Sequence, residues 1–466
     1  MRHSGTYDAR ARELAIASGT DPDSRIPNPE KPGKTMPAWV SFREAAQKEE
    51  LAAITGGETM PLRKGASPFT LNIDIGADGS DERDNVVKVT EAMNELMRIP
   101  TTVDGVVMPD ACPAGVIPVG GVVATKEAIH PGFHSADICC SMAITVFQGS
   151  VDPTTILDAG MELSHFGVGG RADMPAPEWI LQLFDANRFL SSLTKDANTH
   201  FGTQGDGNHF FYVGRIRSTG DIALVTHHGS RGPGASLYKK GMECAEKWRR
   251  KLSPETPREA AWIPSETDDG RDYWDALQII RQWTKHNHYA IHNAIVARLG
   301  HGTFVERFWN EHNFIFRKPD GLFYHAKGAT PAFSNWAVDA TNLTLIPLNM
   351  REPILITRGM NAPNGLGFAP HGAGRNFSRT GYMKRNAHLT EAEMVAEQTK
   401  GIDARFFSGI PDVSELPDAY KDAKSVIEQI NAFKLAEIVD YVDPVGSIMA
   451  GNSAWWQKKK LVDKAS

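Results

Sequence analysis

The chain has 466 residues, of which 41% are hydrophobic and 23% charged, the composition of an ordinary globular protein. Its formal net charge of −6 argues against a surface coated with phosphate-binding side chains, although a local basic groove for nucleic acid stays compatible with it. Four cysteines, at 112, 139, 140 and 244, do not read as a disulfide framework, and no apolar run reaches membrane-spanning length. The polar N-terminus also lacks the core of a signal peptide, so we expect a cytoplasmic protein without a membrane partner.

The N-terminal part combines a turn-rich segment with a first helix and two strands. Residues 1–80 are rich in prolines and glycines, and we expect them to form a segment that packs on the core. An amphipathic helix is predicted at 84–98, because its apolar residues share one side and Pro100 ends it. β-Branched, glycine-rich stretches at 106–108 and 120–124 predict short buried strands.

The rest of the chain alternates strands with helices. The apolar run 222–225 predicts a strand, and helices are predicted at 238–252 and 272–299. Thr390 and Glu393 match a capping box that opens a helix at 391–399, and 420–442 is mostly helical by pattern. Because no regular βαβ cadence links these elements, the pattern favours an α+β fold over a doubly wound sheet.

One loop combines a histidine with residues suited to phosphate. The segment 369–375 sets His371 beside Gly372, Ala373, Gly374 and Arg375. Small residues let backbone N–H groups close around an anion, and an arginine can neutralise its oxygens. An imidazole there suits attack on phosphorus or the binding of a metal. The alternative is a turn residue with a satisfied imidazole.

Four other segments carry metal-ligand residue types beside glycines or turn formers. Together they offer Asp137, Cys140, His209, His227 and His312. One carboxylate, one thiolate and three imidazoles suit Mn, Zn, Fe or Co better than calcium or magnesium. A bridging thiolate would allow two ions, the recurrent arrangement for phosphoryl and nucleotidyl transfer. Taken singly, each residue also has a structural alternative. Cys140 could be an inert buried thiol, Asp137 a turn or capping residue, and each histidine a hydrogen-bonded structural residue.

In their order along the chain, these segments resemble the RtcB family of RNA ligases. That family joins an RNA 3′-phosphate or 2′,3′-cyclic phosphate end to a 5′-hydroxyl end. The resemblance covers roughly positions 85 to 450 and is carried by Met108-Pro109-Asp110, 137–142, 202–210, 227–232, His312-Asn313, 327–329 and 371–375. It implies an RtcB-like α+β fold, with mixed β-sheets surrounded by helices and the active site in a central cleft. We therefore predict a catalytic domain at 81–451, preceded by the segment 1–80 and followed by a basic tail at 452–466.

The resemblance implies a pair of metal sites. Cys140 would bridge two Mn²⁺ ions. Asp137 and His209 would complete one site, and His227 and His312 would complete the other.

The resemblance also makes His371 the nucleophile, attacking the α-phosphate of GTP with release of pyrophosphate. The guanylyl group would pass to the RNA 3′-phosphate, giving RNA-(3′)pp(5′)G, and the 5′-hydroxyl would then displace GMP. The nucleotide contacts are expected from Asn208, His209, Phe210, His312, Asn313, Asn349, Met350, His371, Gly372, Ala373, Gly374 and Arg375. The implied role is RNA splicing or repair, including tRNA processing, and the need for an accessory activator protein is left open.

Some positions depart from the family pattern. Cys139 and Ser141 stand where the family has glycines, so the backbone there cannot freely reach positive φ. Positions that contact the guanine nucleotide also differ, at Tyr212, Leu348, Asn349, Ile354 and Ala450. Because the metal ligands and His371 are retained, we predict that the chemistry is kept, while guanine selectivity stays open.

Two other functions stay open from the sequence. A metal-dependent phosphoesterase acting on RNA ends would share every metal ligand, but it would need only metal-bound hydroxide and no covalent His371. A catalytically silent RNA-binding paralogue is the third hypothesis, and the complete ligand set argues against it.

Overall fold

The structure is a computed structural model that describes residues 6–452, except 30, 148–150, 168 and 301–303. Beyond Asn452, the tail predicted at 452–466 lies outside the described residues. The helices are α1 (Thr6–Ala17), α2 (Arg43–Thr55), α3 (Asp81–Leu96), α4 (Pro131–His134), α5 (Pro153–Leu163), α6 (Glu178–Ala186), α7 (Thr194–His200), α8 (Arg231–Leu252), α9 (Asp268–Leu299), α10 (Arg379–Arg385), α11 (Glu391–Gln398) and α12 (Ala423–Ala432).

The strands alternate with these helices along the whole described chain. They are β1 (Arg25–Pro27), β2 (Thr35–Pro37), β3 (Thr70–Leu71), β4 (Thr102–Cys112), β5 (Val119–Thr125), β6 (Ala128–Ile129), β7 (Ser141–Phe147), β8 (Phe210–Ile216), β9 (Ile222–His228), β10 (Ile263–Pro264), β11 (Glu306–Glu311), β12 (Asn313–Arg317), β13 (Phe323–Lys327), β14 (Ala329–Pro331), β15 (Leu343–Ile346), β16 (Ile354–Gly359), β17 (Phe368–Pro370), β18 (Asp403–Phe406) and β19 (Ala436–Met449).

Two larger sheets position the site. The first has the strand order β11-β7-β9-β8-β19-β16-β15, with antiparallel neighbours, and β18 adds to β19 in parallel. The second has the order β12-β13-β5-β4-β3. The chain crosses from the first sheet to the second at His312, between β11 and β12. Helix α9 packs on β7 and β9, and α3 packs on β4, so the α+β fold of mixed sheets and surrounding helices is confirmed.

Most of the predicted elements are present. The helix predicted at 84–98 is α3, which begins earlier because Ser80 Oγ accepts from the Arg83 N–H and caps it. Thr390 and Glu393 form the predicted capping box at the start of α11. The strands predicted at 106–108 and 120–124 lie within β4 and β5. The helices predicted at 238–252 and 272–299 lie within α8 and α9, which both begin a few residues earlier.

The helix predicted at 420–442 is wrong over its second half. Helix α12 ends at Ala432, Lys434 takes a left-handed φ of 53°, and β19 then runs between β8 and β16. The strand forms because its backbone completes the first sheet, a long-range contact that overrides local helical periodicity. The segment 1–80 also contains α1 and α2, which its turn-rich composition did not predict. In the described part of the chain, no helix is long and apolar enough to cross a membrane.

Two buried histidines at the ends of α4 make stability depend on pH. Desolvation lowers the pKa of His130 to about 3 and that of His134 to about 4, against about 6.5 in an unfolded chain. Because the unfolded chain binds more protons in acid, this stability is complete above about pH 6.5 and is lost as the pH falls toward the folded values. We expect metal-free protein to lose about 2 kcal/mol per histidine between about pH 7 and pH 5 in urea denaturation.

A variant separates this effect from other acid-sensitive groups. His130→Gln removes one of the buried histidines whose pKa is lowered, so its unfolding free energy should fall less steeply with decreasing pH than that of the parent chain. An unfolding free energy that stays constant between the two pH values would contradict the prediction.

Candidate metal and nucleotide site

The predicted metal ligands meet at one end of neighbouring strands in the first sheet. Cys140 precedes β7, His209 precedes β8, His227 lies near the end of β9, and His312 follows β11. Since these strands are antiparallel, the start of one lies beside the end of the next, as where Phe210 pairs with His227. The strand register therefore gathers side chains that are far apart in the sequence.

The donor atoms of five side chains converge there. Cys140 Sγ lies 3.1 Å from His227 Nε2 and 3.4 Å from His209 Nε2. His209 Nε2 is also 3.3 Å from Asp137 Oδ2, and His227 Nε2 is 3.1 Å from His312 Nε2. They form two groups that share Cys140, and within each group the ligand atoms lie within 4.8 Å of one another. One group contains Asp137 and His209, and the other contains His227 and His312.

Two histidines of this cluster are in the protonation state that binds a metal cation. His227 Nδ1 is 3.1 Å from the carbonyl oxygen of Asn208, which can only accept, so the Nε2 lone pair faces Cys140 and His312. Desolvation lowers the pKa of His227 to about 3 and that of His312 well below its usual value, so both rings are neutral, the metal-binding form. Burial and the Asp137 carboxylate raise the pKa of Cys140 well above its usual value, so a thiolate there needs a cation beside it. The donor set is compatible with metal binding.

Asp137 differs from the other ligands in its charge. Burial acts to raise the pKa of Asp137, but attraction to His209 and hydrogen bonds from His209 and Cys140 lower it to about 2. This carboxylate is therefore ionised at neutral pH and contributes negative charge to its group.

His371 lies beside the metal-ligand cluster, with its ring centroid 4.8 Å from that of His312. Its Nδ1 is 2.6 Å from Asp110 Oδ2 and 2.8 Å from the carbonyl oxygen of Gly328. Because a carbonyl oxygen only accepts, Nδ1 carries a proton, and in the neutral ring the lone pair is on Nε2. This tautomer is the one that a histidine nucleophile needs when it reacts through Nε2.

The Asp110 carboxylate, which binds His371, is buried and lies near the ammonium group of Lys421. Lys421 Nζ donates to the carbonyl oxygens of Pro109 and Ala111, at 3.0 and 2.8 Å, on either side of Asp110. A nearby ammonium offsets the cost of burying a carboxylate. The sequence analysis quoted Asp110 in a motif without giving it a role, because nothing local connects it with a histidine 261 positions away.

The loop before Cys140 has a backbone conformation that its residues disfavour. Cys139 has a φ of 57°, in the left-handed region. Its N–H donates to the carbonyl oxygen of Asn313 at 2.7 Å, and the Cys140 N–H donates to that of Asp137 at 3.3 Å. Hydrogen bonds thus hold a conformation that costs a side-chain-bearing residue about 1–2 kcal/mol. Ser141, the other departure from glycine, lies in β7 in extended backbone.

A cavity of about 200 Å³ opens beside His371. The nucleotide contacts predicted from the sequence that line it are Asn208, Phe210, Asn349, Met350, His371, Gly372, Ala373, Gly374 and Arg375. His227 also lines the cavity, which therefore adjoins the metal-ligand cluster. His209 faces a wider cleft of about 1120 Å³ on the other side of Asn208.

The remaining two predicted contacts lie outside the linings of both spaces. His312 belongs to the metal-ligand cluster. Asn313 Oδ1 accepts from the Gly328 N–H at 2.8 Å, and the Gly328 carbonyl in turn accepts from His371. Asn313 thus holds the Gly328 peptide, whose carbonyl oxygen accepts the hydrogen bond from His371. A contact between Asn313 and a nucleotide stays a prediction.

A buried carboxylate binds Arg375 of the cavity and Arg379 of the wider cleft. Glu415 Oε2 accepts from Arg375 Nη2 at 2.6 Å and from Tyr420 OH at 2.5 Å, while Oε1 accepts from Arg379 Nε at 2.8 Å. Arg375 Nη1 is buried without a hydrogen-bond partner among the described residues. Two guanidinium groups share one carboxylate, so the group of three side chains has a net positive charge. A net positive charge favours the binding of a phosphate. The sequence analysis missed Glu415 and Tyr420, because they come from turns that carry no recognisable motif.

Fold and site together define an α+β protein in which a ligand set compatible with metal binding adjoins a carboxylate-held histidine and a cavity. The family described as "tRNA-splicing ligase RtcB" matches residues 180–450 of the chain. The chain belongs to the RtcB family.

Known proteins from archaea and bacteria show the same similarity. The chain is 25% identical over 423 residues to the tRNA-splicing ligase RtcB of Aeropyrum pernix, covering 73% of this chain and 87% of that protein. It is 24% identical over 399 residues to the RNA-splicing ligase RtcB of Escherichia coli, covering 77% of this chain and 91% of that protein. The similarity therefore extends over most of each relative.

Proposed function

We propose that the protein is a GTP- and Mn²⁺-dependent RNA ligase that joins a 3′-phosphate or 2′,3′-cyclic phosphate end to a 5′-hydroxyl end. The observation that carries this proposal is the setting of His371, with Nδ1 2.6 Å from Asp110 and the ring 4.8 Å from His312. It offers a free Nε2 lone pair beside a cavity and a metal-ligand cluster. Membership of the RtcB family supports the same reaction, in RNA splicing or repair, including tRNA processing.

In the first proposed step, His371 Nε2 attacks the α-phosphorus of GTP. A phosphorus–nitrogen bond forms, the bond from the α-phosphorus to the α,β-bridging oxygen breaks, and pyrophosphate leaves with the electron pair. Asp110 and Gly328 keep the Nδ1 proton in place, so positive charge that develops on the ring meets a carboxylate. We assign Arg375 Nη1 and Asn208 to the phosphate oxygens.

The later steps use the guanylyl group to activate RNA. Where the end is a 2′,3′-cyclic phosphate, water first adds to its phosphorus and the bond to the 2′-oxygen breaks, which gives a 3′-phosphate. An oxygen of the RNA 3′-phosphate then attacks the guanylyl phosphorus, which releases His371 and gives RNA-(3′)pp(5′)G. The 5′-hydroxyl then loses its proton to solvent and attacks the RNA-side phosphorus. The bond from that phosphorus to the bridging oxygen breaks, a phosphodiester forms, and GMP leaves with the electron pair. The guanylyl group is needed for this attack because the negative charge of a phosphate monoester repels nucleophiles. Once the phosphate is capped, GMP serves as the leaving group. We place the RNA ends in the wider cleft, where Arg231, Arg379 and Phe407 lie near Asp137 and His209.

The metal-ligand cluster is proposed to hold two Mn²⁺ ions. Cys140 would bridge them, with Asp137 and His209 in one site and His227 and His312 in the other. Thiolate and imidazole ligands favour first-row transition ions over calcium and magnesium. When bound, such ions neutralise charge on attacking and leaving oxygens.

The proposal is tested by incubating purified protein with Mn²⁺ and [α-³²P]GTP, and then with RNA ends. We expect a protein-bound label that survives alkali and is lost in acid, as for a phosphoramidate. The labelled protein should then seal a 3′-phosphate end to a 5′-hydroxyl end. If no nucleotide labels the protein and the RNA 3′-phosphate is removed, the phosphoesterase alternative replaces the ligase.

Asp110→Asn is expected to slow labelling about 100-fold or more, because the amide has no charge to stabilise the ring as it becomes cationic. Asp110 does not line the cavity, so the apparent KM for GTP should stay within about threefold of the parent value. Initial labelling rates over a range of GTP concentrations separate the two effects. A loss confined to KM would contradict a positioning role for Asp110.

Gly205→Ala is expected to empty one of the two proposed metal sites. A Cβ at this position would lie 1.6 Å from His209 Nδ1, so the imidazole cannot keep the position in which its Nε2 faces Asp137 and Cys140. Metal content measured by mass spectrometry should fall from two ions per chain toward one. Gly65→Ala is the matched control, because a Cβ there meets nothing within 4 Å in the described structure. Two ions retained in Gly205→Ala would contradict the assignment of His209.

A further inference from the structure

The cavity beside His371 has largely apolar walls. Apart from the loop 371–375, they are formed chiefly by Phe210, Tyr212, Leu348, Met350, Ile354 and Met449. Such walls bind a flat nucleobase through its faces and ring shape, which guanine and adenine share. Reading guanine, in contrast, requires acceptors for its N1–H and 2-amino groups.

Two side-chain acceptors that line this cavity, on Glu415 and Asn349, are already engaged, and the amide of Asn208 is assigned above to the phosphate oxygens. The Glu415 carboxylate accepts from two arginines and Tyr420. Asn349 Oδ1 accepts from the backbone N–H groups of Arg351 and Glu352, at 2.9 and 3.0 Å. A carboxylate or amide oxygen bound in this way is poorly placed to select guanine over adenine.

Two further polar groups of the lining come from β8 and β19 of the first sheet. The Tyr212 hydroxyl donates to the carbonyl oxygen of Val442 at 2.9 Å, so this proton is not available for a hydrogen bond to a nucleobase. Ser447 Oγ is buried and has no hydrogen-bond partner among the described residues. A serine hydroxyl can rotate either to donate or to accept, so it serves the 6-oxo group of guanine and the 6-amino group of adenine alike.

We propose that this cavity selects weakly between purines, so that His371 takes the nucleotidyl group from ATP as well as from GTP. The inference rests on the proposed ligase function and concerns the base alone. With either nucleotide, the phosphorus–nitrogen bond forms at His371 and pyrophosphate leaves in the same way. Sites that hydrogen-bond a distinguishing group reject its analogue by about 10⁴-fold or more, whereas apolar pockets reach about 10²-fold. We therefore expect kcat/KM for labelling by GTP and ATP to differ by less than about 100-fold.

The test compares labelling rates of the Mn²⁺-loaded protein with α-³²P-labelled GTP, ATP, CTP and UTP, each over a range of concentrations. Labelling by both purine nucleotides within about 100-fold supports weak selection. A preference for GTP above about 100-fold overturns the inference and leaves the ligase proposal intact. Absence of label from every nucleotide overturns the ligase proposal itself, so the two failures are distinguishable.

A pair of variants tests the cause of weak selection. Tyr212→Glu adds a carboxylate to the cavity wall, and its oxygens can accept from the guanine N1–H and 2-amino groups. The ratio of GTP to ATP labelling should rise by about tenfold or more. Tyr212→Phe, which removes the hydroxyl without adding an acceptor, should keep the parent ratio within about threefold. A larger change in Tyr212→Phe would show that the tyrosine reads the base, contrary to the inference. Because a buried glutamate can prevent folding, the nucleotide comparison on the parent chain decides the matter alone.

Discussion

His371→Ala is expected to lower nucleotide labelling and RNA sealing at least about 10⁴-fold, because alanine has no nitrogen to attack phosphorus. The fold should persist, since the side chain is 17% exposed and lies in a loop after β17. Its removal leaves Asp110 without its imidazole partner, a cost of about 1–3 kcal/mol. Labelling is measured by denaturing electrophoresis after incubation with [α-³²P]GTP, and folding is measured by urea denaturation of the same samples.

Two controls show whether the loss is chemical. His388→Ala removes an exposed histidine from the same region of the chain, and it should label at the parent rate. The metal content of His371→Ala should also equal that of the parent, because His371 belongs to neither metal-ligand group. A variant at position 371 that is still labelled would overturn the assignment of the nucleophile.

The candidate metal cluster could be predicted because each ligand has a local signal. Cys140, His209 and His227 each lie next to turn formers, and the apolar run 222–225 indicated that His227 ends a strand. The division of the ligands into two groups came from the family resemblance. In the structure, that division follows from the antiparallel register at one end of the first sheet. Local motifs thus identified the residues, whereas the sheet determines which of them are neighbours.

The support around His371 could not be predicted, because it depends on contacts between distant segments. Asp110 comes from β4 in the second sheet, and Glu415 comes from a turn before α12. Buried ion pairs of this kind leave no periodic pattern in a sequence. The failed helix at 420–442 has the same cause, since β19 is a strand only because β8 and β16 flank it.

Two buried thiols, Cys139 and Cys140, are adjacent in the sequence, so substitution of the first is a close control for substitution of the second. Cys140 belongs to both metal-ligand groups, whereas Cys139 belongs to neither. Cys139→Ala removes a thiol of equal size one residue away. It keeps the Cβ and the backbone hydrogen bond from its N–H to Asn313, so we expect it to retain two metal ions per chain.

Cys140→Ala is expected to remove both ions. The Sγ atom lies 3.4 Å from His209 Nε2 and 3.1 Å from His227 Nε2, and without it each group keeps only two protein ligands. The thiolate is also the only soft anionic ligand in the set, so its loss removes negative charge from both sites at once. Metal analysis after equilibration with Mn²⁺ should give close to zero ions in Cys140→Ala and two in Cys139→Ala, with labelling by GTP lost only in the former. If Cys140→Ala keeps one ion, the thiolate serves a single site, and if it keeps both, the bridge is wrong.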